Sequence, residues 1–381
     1  MTPLFLLFVL AFVVSVDVRI LAPILPSVAA SLGATAGAAG LAMTSYALAY
    51  GTGQLVYGPL SDRFGRIAVV RSAALGFSAC SVLSALSLST WQFVAARLLA
   101  GAFAGAVIPL TLVYIGDSYE YAERQVAIAR FAVVTSAGLA FSASIGGMVA
   151  HLVSWRVMLI GYGLLALAPV ALMYSLDPGR PPRATGAGHR VLRYMDLLTD
   201  PRALLVYVLI FAEGFLCWGA VTYLGAFAHR RHGLDQLQIG LLIALFGVGT
   251  MVGGSVMAPL RRRLSENALA GTGGLLMGAA FLMLIPRWPW AAFAASMLVL
   301  GLGFVGLHST LQLRATEISS MARGKAFSLF AFNLFTGIAA GTAVLGRLVD
   351  AGRDDVMLGI SGGGLALVGA AAASVKRRST L

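Results

Sequence analysis

Long apolar runs follow one another down this chain, each about 20 residues long and set apart by short clusters of charge, and that succession leaves few folds open. A run of about 20 apolar residues spans the hydrocarbon of a bilayer as an α-helix. Charged residues fill only 11% of the 381 positions, against about 25% in a water-exposed domain, so lipid is the solvent for most of the chain. The runs are continuously apolar instead of alternating, which speaks against a membrane barrel, and open strands would leave their backbone groups unsatisfied in hydrocarbon. At about 20 residues per crossing and about 10 per connection, the length accommodates roughly twelve crossings. The expected fold is an all-α membrane protein of 12 transmembrane helices.

Hydropathy and helix breakers place six spans at about 4–25, 38–57, 68–88, 91–115, 129–150 and 156–176. Six more fall at about 203–228, 237–258, 268–286, 290–313, 325–347 and 356–375. The longest polar stretch, residues 177–202, reads as a cytoplasmic linker between an N-terminal six-helix bundle, 1–176, and a C-terminal one, 203–381; Val191–Leu198 within it is expected to form a short interfacial helix. Shifting the sequence by 200 residues lays Gly33, Gly40, Leu41, Gly53, Val56, Pro59 and Leu60 on Gly233, Gly240, Leu241, Gly253, Val256, Pro259 and Leu260. Such a parallel repeat of six helices is a transporter arrangement.

Of the 27 basic residues, nineteen lie in one set of alternate connections and six in the other. The positive-inside rule makes the richer side cytoplasmic, with both termini on it and the bacterial inner membrane as the expected location. The net charge of +12 is thus explained by topology, since the basic residues form no aromatic-studded face for nucleic acid. Asp17 and Arg19 interrupt the first apolar run, which reads as a retained helix and not a signal peptide. Cys80 and Cys217 sit within apolar runs and indicate neither a disulfide nor a metal site. His229-Arg-Arg-His232 lacks further ligands, and Gly301-x-Gly303-x-x-Gly306 lies inside a membrane run with no strand before it, where small residues serve helix contact. With no Walker lysine loop, G-x-S-x-G or H-E-x-x-H, no enzyme chemistry is expected, and no cofactor or metal beyond a proton gradient as the energy source.

The connection after the second span reads Gly58-Pro-Leu-Ser-Asp62-Arg63-Phe-Gly65-Arg66, with Gly58 and Gly65 permitting a tight turn. It resembles the signature loop of the major facilitator superfamily. The resemblance implies the major facilitator fold of two six-helix bundles and a gating loop of Gly58, Asp62, Arg63, Gly65 and Arg66, with Arg66 paired to Asp117 at the end of helix four. Arg97-x-x-x-Gly101-x-x-x-Gly105 is similar to the arginine-glycine motif of that family's drug:proton antiporters, and Asp17 with Ala22-Pro23-Ile-Leu-Pro26 resembles their first-helix acidic motif. In helix five Gly138, Gly146 and Gly147 match the antiporter motif, while Ser142 and Ala143 replace its glycine and proline. The second-half loop, Ala258-Pro-Leu-Arg261-Arg262-Arg263, lacks the acidic residue, so a latch built on Asp62 is expected on one side only.

Asp17, Arg19, Arg97 and Glu213 are the charges deep within spans, each costing about 2.5 to 3.5 kcal/mol at a helix centre. Counting at 1.5 Å per residue puts Asp17 about 20 Å from the cytoplasmic edge and Arg97 about 21 Å from it. Asp17 and Arg97 are therefore expected to pair, either as a proton-exchanging couple or as a permanent ion pair joining two helices. Arg19, about 200° around the helix from Asp17, should not share its face. Glu213 lies near the midplane without an obvious basic partner in its own half, which suits a cation site, a second proton carrier or a hydrogen-bonded core acid. Tyr46, Tyr50, Gln54 and Tyr57 recur at helical spacing, as do Phe327, Phe330 and Asn333, so Tyr46, Tyr50, Gln54, Glu213, His308 and Asn333 are candidate contacts for a lipophilic substrate, with helix packing as the other account of the aromatic stripes and of His308.

The expected function is a proton-coupled secondary transporter, expected as a monomer, exporting lipophilic or cationic organic compounds by alternating access. Its partners are a small-molecule substrate, protons and the lipid bilayer. The alternatives are a uniporter or symporter of a small metabolite and a non-transporting membrane sensor or enzyme.

Overall fold

The computed structural model describes residues 3–174, 197–318 and 323–374, and every regular element among them is helical. Most of the expected linker, including residues 191–196 of the short helix anticipated at Val191–Leu198, lies outside the described residues, and Leu197 and Leu198 are helical. In chain order the helices are α1 (Pro3–Asp17), α2 (Leu21–Ser31), α3 (Ala36–Phe64), α4 (Arg66–Ala85), α5 (Thr90–Ala104), α6 (Val107–Ser118), α7 (Tyr121–Leu152) and α8 (Trp155–Tyr174). They continue as α9 (Pro201–Glu213), a π-helix (Gly214–Trp218), α10 (Gly219–His232), α11 (Gln236–Arg263), α12 (Glu266–Leu282), α13 (Trp290–Glu317), α14 (Arg323–Asp350) and α15 (Asp354–Ala373).

Among the described residues nine helical stretches are long and apolar enough to cross a membrane, or ten with the bent α1–α2 pair. The remaining two expected spans correspond to α12, which is 17 residues long, and to α3, whose Thr44, Ser45, Thr52 and Gln54 lower its hydropathy. Helix starts repeat at the 200-residue offset seen in the sequence. α3, α4 and α5 begin at Ala36, Arg66 and Thr90, and α11, α12 and α13 at Gln236, Glu266 and Trp290.

Three spans are broken where a continuous helix was expected. The first bends by 58° between α1 and α2. Pro23 explains the break, because in an unbroken helix its ring would clash with the carbonyl of Arg19 four residues earlier, whereas proline is tolerated in the first turn of a new one. The fourth span divides at Gly105 and Ala106, between α5 and α6, and the seventh widens into the π-helix after Glu213. Caps set the other boundaries. Thr35 Oγ1 accepts from the Ala38 amide at 3.1 Å, Ser265 Oγ from Ala268 at 3.2 Å, and Asp200, before Pro201, from Arg202 at 2.9 Å; each satisfies an amide that the first turn leaves open.

Contacts divide the chain into two units. One comprises Met1–Arg190 with Thr222–Leu241, and the other Val191–Val221 with Leu242–Leu381. In the first, α1 packs on α7 and α8, α3 on α5, and α4 on α5 and α8. In the second, α12 packs between α13 and α15, and α14 lies along α9 and the π-helix.

Candidate functional site

In the first unit Asp17 closes α1, and Arg97 stands midway along α5. The guanidinium meets the carboxylate in a two-pronged contact, Nη1 to Oδ1 at 2.9 Å and Nη2 to Oδ2 at 3.0 Å, with both side chains 0% exposed. Glycine makes the geometry. A Cβ on Gly101 would strike the backbone of Tyr46, and one on Gly105 would sit 2.8 Å from the Tyr50 carbonyl, so the two glycines let α5 ride directly on α3. That close crossing puts the Tyr46 ring under the guanidinium, 4.3 Å from Cζ to the ring centroid, a favourable cation–π placement. Arg97 Nε, Tyr46 Oη, Tyr162 Oη and Ser15 Oγ are buried without a hydrogen bond among the described residues, so spare polar groups surround a site whose formal charges cancel.

α7 holds α1 from the other side. Gly138 faces the Phe12 carbonyl and Ser15, Gly146 faces Ile20, and between them Ser142 Oγ donates to the Val16 carbonyl. Gly147 abuts the backbone of Gln236 and Gly240, and Gly240 abuts Ala143, so the start of α11 lies against α7 within this unit. Gln236 Nε2 also donates to Ser27 Oγ. A cavity of about 300 Å³ opens there, lined by Ser27, His151, His229, Asp235 and Gln236 among others. The His229 ring instead turns Nδ1 to the Leu234 carbonyl at 2.9 Å, and among the described residues no group of three or more metal-ligating side chains forms.

The aromatic stripe of α3 belongs to this ion pair. Tyr46 and Tyr50 are buried and stacked, with centroids 6.0 Å apart, Gln54 is half-buried, and Tyr57 donates to the Ala102 carbonyl at 2.8 Å. Arg19 occupies the turn between α1 and α2 and is half-buried.

In the second unit Glu213 does have a partner, which corrects the expectation that it lacks one in its own half. Its Oε1 lies 2.9 Å from His308 Nδ1 on α13, with Glu213 0% and His308 16% exposed. The other oxygen, Oε2, is buried with no partner among the described residues. His308 stacks on Phe304 at 4.4 Å and meets Phe330 edge-on at 5.8 Å. Phe304 in turn packs edge-to-face with Trp218 and Phe246. The sequence separation of 95 residues hid this pair. Asn333 does not reach it by any hydrogen bond described; its Nδ2 donates to Leu329 one turn back on α14. Phe327 stacks on Phe330.

The loop after the second span is shorter than expected. Gly58, Pro59, Asp62 and Arg63 continue α3, no heavy atom lies within 4 Å of a Cβ built on Gly58, and the turn rests on Gly65 alone, at φ +90°. Pro59 lies inside α3, where its missing N–H leaves the Leu55 carbonyl without its usual helical donor, and only Gly65 needs the left-handed region that favours glycine. Arg66, first residue of α4, gathers Asp62 at 2.5 Å and Asp117 at 3.1 Å, while Arg63 lies over the Phe64 ring. The second unit has a counterpart that the sequence did not suggest. Arg314 on α13 binds Glu266 at 2.9 Å, Asn267 at 2.8 Å and the Ala372 carbonyl at 2.8 Å. Glu266 begins α12 where Arg66 begins α4, so the contact recurs with its charges exchanged and without an acid in the Ala258–Arg263 segment. Gly301, Gly303 and Gly306 of α13 lie against α11 and α12.

A family model described as Major Facilitator Superfamily matches residues 7–342. The chain belongs to this superfamily. It is 25% identical over 358 residues to YceJ of Bacillus subtilis (strain 168), described as an uncharacterized MFS-type transporter, with 91% of this chain and 89% of that protein covered. It is 26% identical to LfrA of Mycolicibacterium smegmatis, described as a multidrug efflux pump, with 80% and 72% covered. The crystal structure of the nucleoside transporter NupG superposes with a TM-score of 0.80 over 99% of this chain and 100% of that one, at 13% identity, a likeness of fold alone. The protein is therefore a helical multi-pass membrane transporter of the major facilitator fold, acting on small molecules and not an enzyme.

Proposed function

We propose that this superfamily member is a proton-coupled exporter of lipophilic or cationic organic compounds, working by alternating access in a bacterial inner membrane with both termini in the cytoplasm. The bidentate, fully buried Asp17–Arg97 pair carries this reading. A proton on Asp17 removes the charge that holds Arg97, while the guanidinium keeps its own. The freed arginine then has the unpaired Tyr46 and Tyr162 hydroxyls as acceptors. Loss of the proton restores the pair, so one protonation switches one interhelical contact between two states. The description of LfrA as a multidrug efflux pump supports export of organic compounds.

The test uses purified protein in proteoliposomes, with a cargo first found by thermal stabilisation across a chemical panel. A pH gradient is expected to drive cargo uphill, and Asp17→Asn to abolish that drive while downhill exchange persists. Unchanged drive in the variant would remove Asp17 from the mechanism. Ser142 and Ala143, in place of the antiporter residues of helix five, favour a second reading as a uniporter or symporter of a small metabolite. Flux indifferent to the gradient marks the uniporter, and cargo moving with the proton flow marks the symporter.

A further inference from the structure

The two buried ionisable pairs differ in charge. Asp17 and Arg97 sum to zero whenever both are ionised. Glu213 and His308 sum to −1 when the imidazole is neutral and to zero when it carries a second proton. Burial makes the −1 state costly unless a positive charge joins it, and the unpartnered Oε2 of Glu213 is an acceptor left for that purpose.

No other ion described on the neighbouring elements meets Glu213. Tyr207 on α9 donates to the Ala326 carbonyl, and Cys217 is a buried thiol in the π-helix. On α13, Arg314 is engaged by Glu266, and Glu317 is the final residue. Lys325 on α14 and Asp354 and Asp355 on α15 stand in first turns, and Arg347 and Asp350 in the last turn of α14. The neutralising charge therefore arrives as a proton or as part of a ligand. The surroundings suit a particular ligand. Phe304 and Phe330 flank the imidazole, and Trp218 and Phe246 pack on Phe304 to extend the aromatic wall; ring faces attract cations. His308, 16% exposed, is the accessible member, while Glu213 behind it is closed to solvent.

We propose that the Glu213–His308 pair and its aromatic wall form a binding site for a planar organic cation, at which the cation and one proton neutralise the same buried charge and exclude each other. On binding, the displaced proton passes to water, so affinity rises with pH until the site is empty of that proton. This deepens the export reading by naming the cargo class, and it is tested by binding without transport.

The experiment titrates the detergent-solubilised full chain with N-methylquinolinium, and in parallel with the neutral N-methyl-2-quinolone of nearly the same shape. For the cation, Kd is expected to fall about tenfold per pH unit over the range in which the pair holds its proton, with about one proton released per ligand. The quinolone should show no such slope. Glu213→Gln should weaken the cation at least tenfold and flatten the slope. If Glu213→Gln fails to fold, Glu213→Asp keeps the charge but withdraws it from the imidazole, and should weaken the cation while preserving the slope. Absence of cation binding at any pH, a flat profile in the unaltered protein, or a slope surviving Glu213→Gln overturns the proposal. Proton-displacing binding without gradient-driven transport sustains this site and refutes the export reading alone.

Discussion

Ser142 on α7 donates its hydroxyl to the carbonyl of Val16, one residue before Asp17, at 2.5 Å. α1 ends there, and the same carbonyl otherwise has only a long contact from the Arg19 amide at 3.4 Å. The serine that replaces a family glycine thus steadies the helix end that carries the buried acid. Ser142→Ala is expected to cost about 1 kcal/mol of stability, read as a lower midpoint in thermal unfolding of the purified protein. A midpoint equal to that of the parent would show that the bond contributes nothing net.

Removing one member of the Asp17–Arg97 pair leaves the other ionised in a closed interior. Arg97→Met alone is expected to destabilise by about 3–5 kcal/mol, and Arg97→Met with Asp17→Leu by clearly less. A double-mutant cycle measures the difference; additive losses would mean that the two charges do not interact.

Two glycines separate packing from sequence resemblance. Gly101→Val places a branched side chain on the Tyr46 backbone and is expected to abolish the α3–α5 approach, with loss of folded protein in size-exclusion chromatography. Gly58→Ala meets no atom within 4 Å inside a helix, so it should be neutral or stabilising by up to about 1 kcal/mol. A damaging Gly58→Ala would point to a contact made only in another state of the transport cycle.

The exchanged arginine contacts differ in burial, and so should their contributions. Arg314→Met removes a cation whose side chain and whose Glu266 partner are each 9% exposed, and is expected to cost about 3 kcal/mol. Arg66→Met loosens acids that are 66% and 41% exposed, and should cost about 1 kcal/mol or less. Equal losses on denaturant unfolding would contradict this ordering.

The membrane fold was legible because each crossing needs its own apolar run, and no distant contact is required to recognise it. Asp17 and Arg97 could be matched by depth because α1 is regular up to Asp17, and the break that Pro23 forces comes only afterwards. The same counting fails for His308. From Trp290 it lies about 27 Å along α13, which would separate it from Glu213, yet α13 runs for 28 residues and outreaches a core about 30 Å thick. Its start is therefore a poor origin. Glu266 was overlooked because a charge at a span boundary looks like a solvated end; the 200-residue offset that aligns it with Arg66 was the available signal. The helical course of Gly58–Phe64 was hidden by Pro59, which reads locally as a stop.

The π-helix at Gly214–Trp218 carries one residue more than regular winding would use, and so resets the angular phase of everything that follows it. A single helical wheel drawn from Pro201 to His232 assigns the wrong sides to the second half of that span. Deleting one of the five residues would restore ordinary winding and leave Gly219 onward at nearly its present angle to Glu213, because the wider turn absorbs that residue, whereas a deletion in the regular helix on either side would swing the remainder by about 100°.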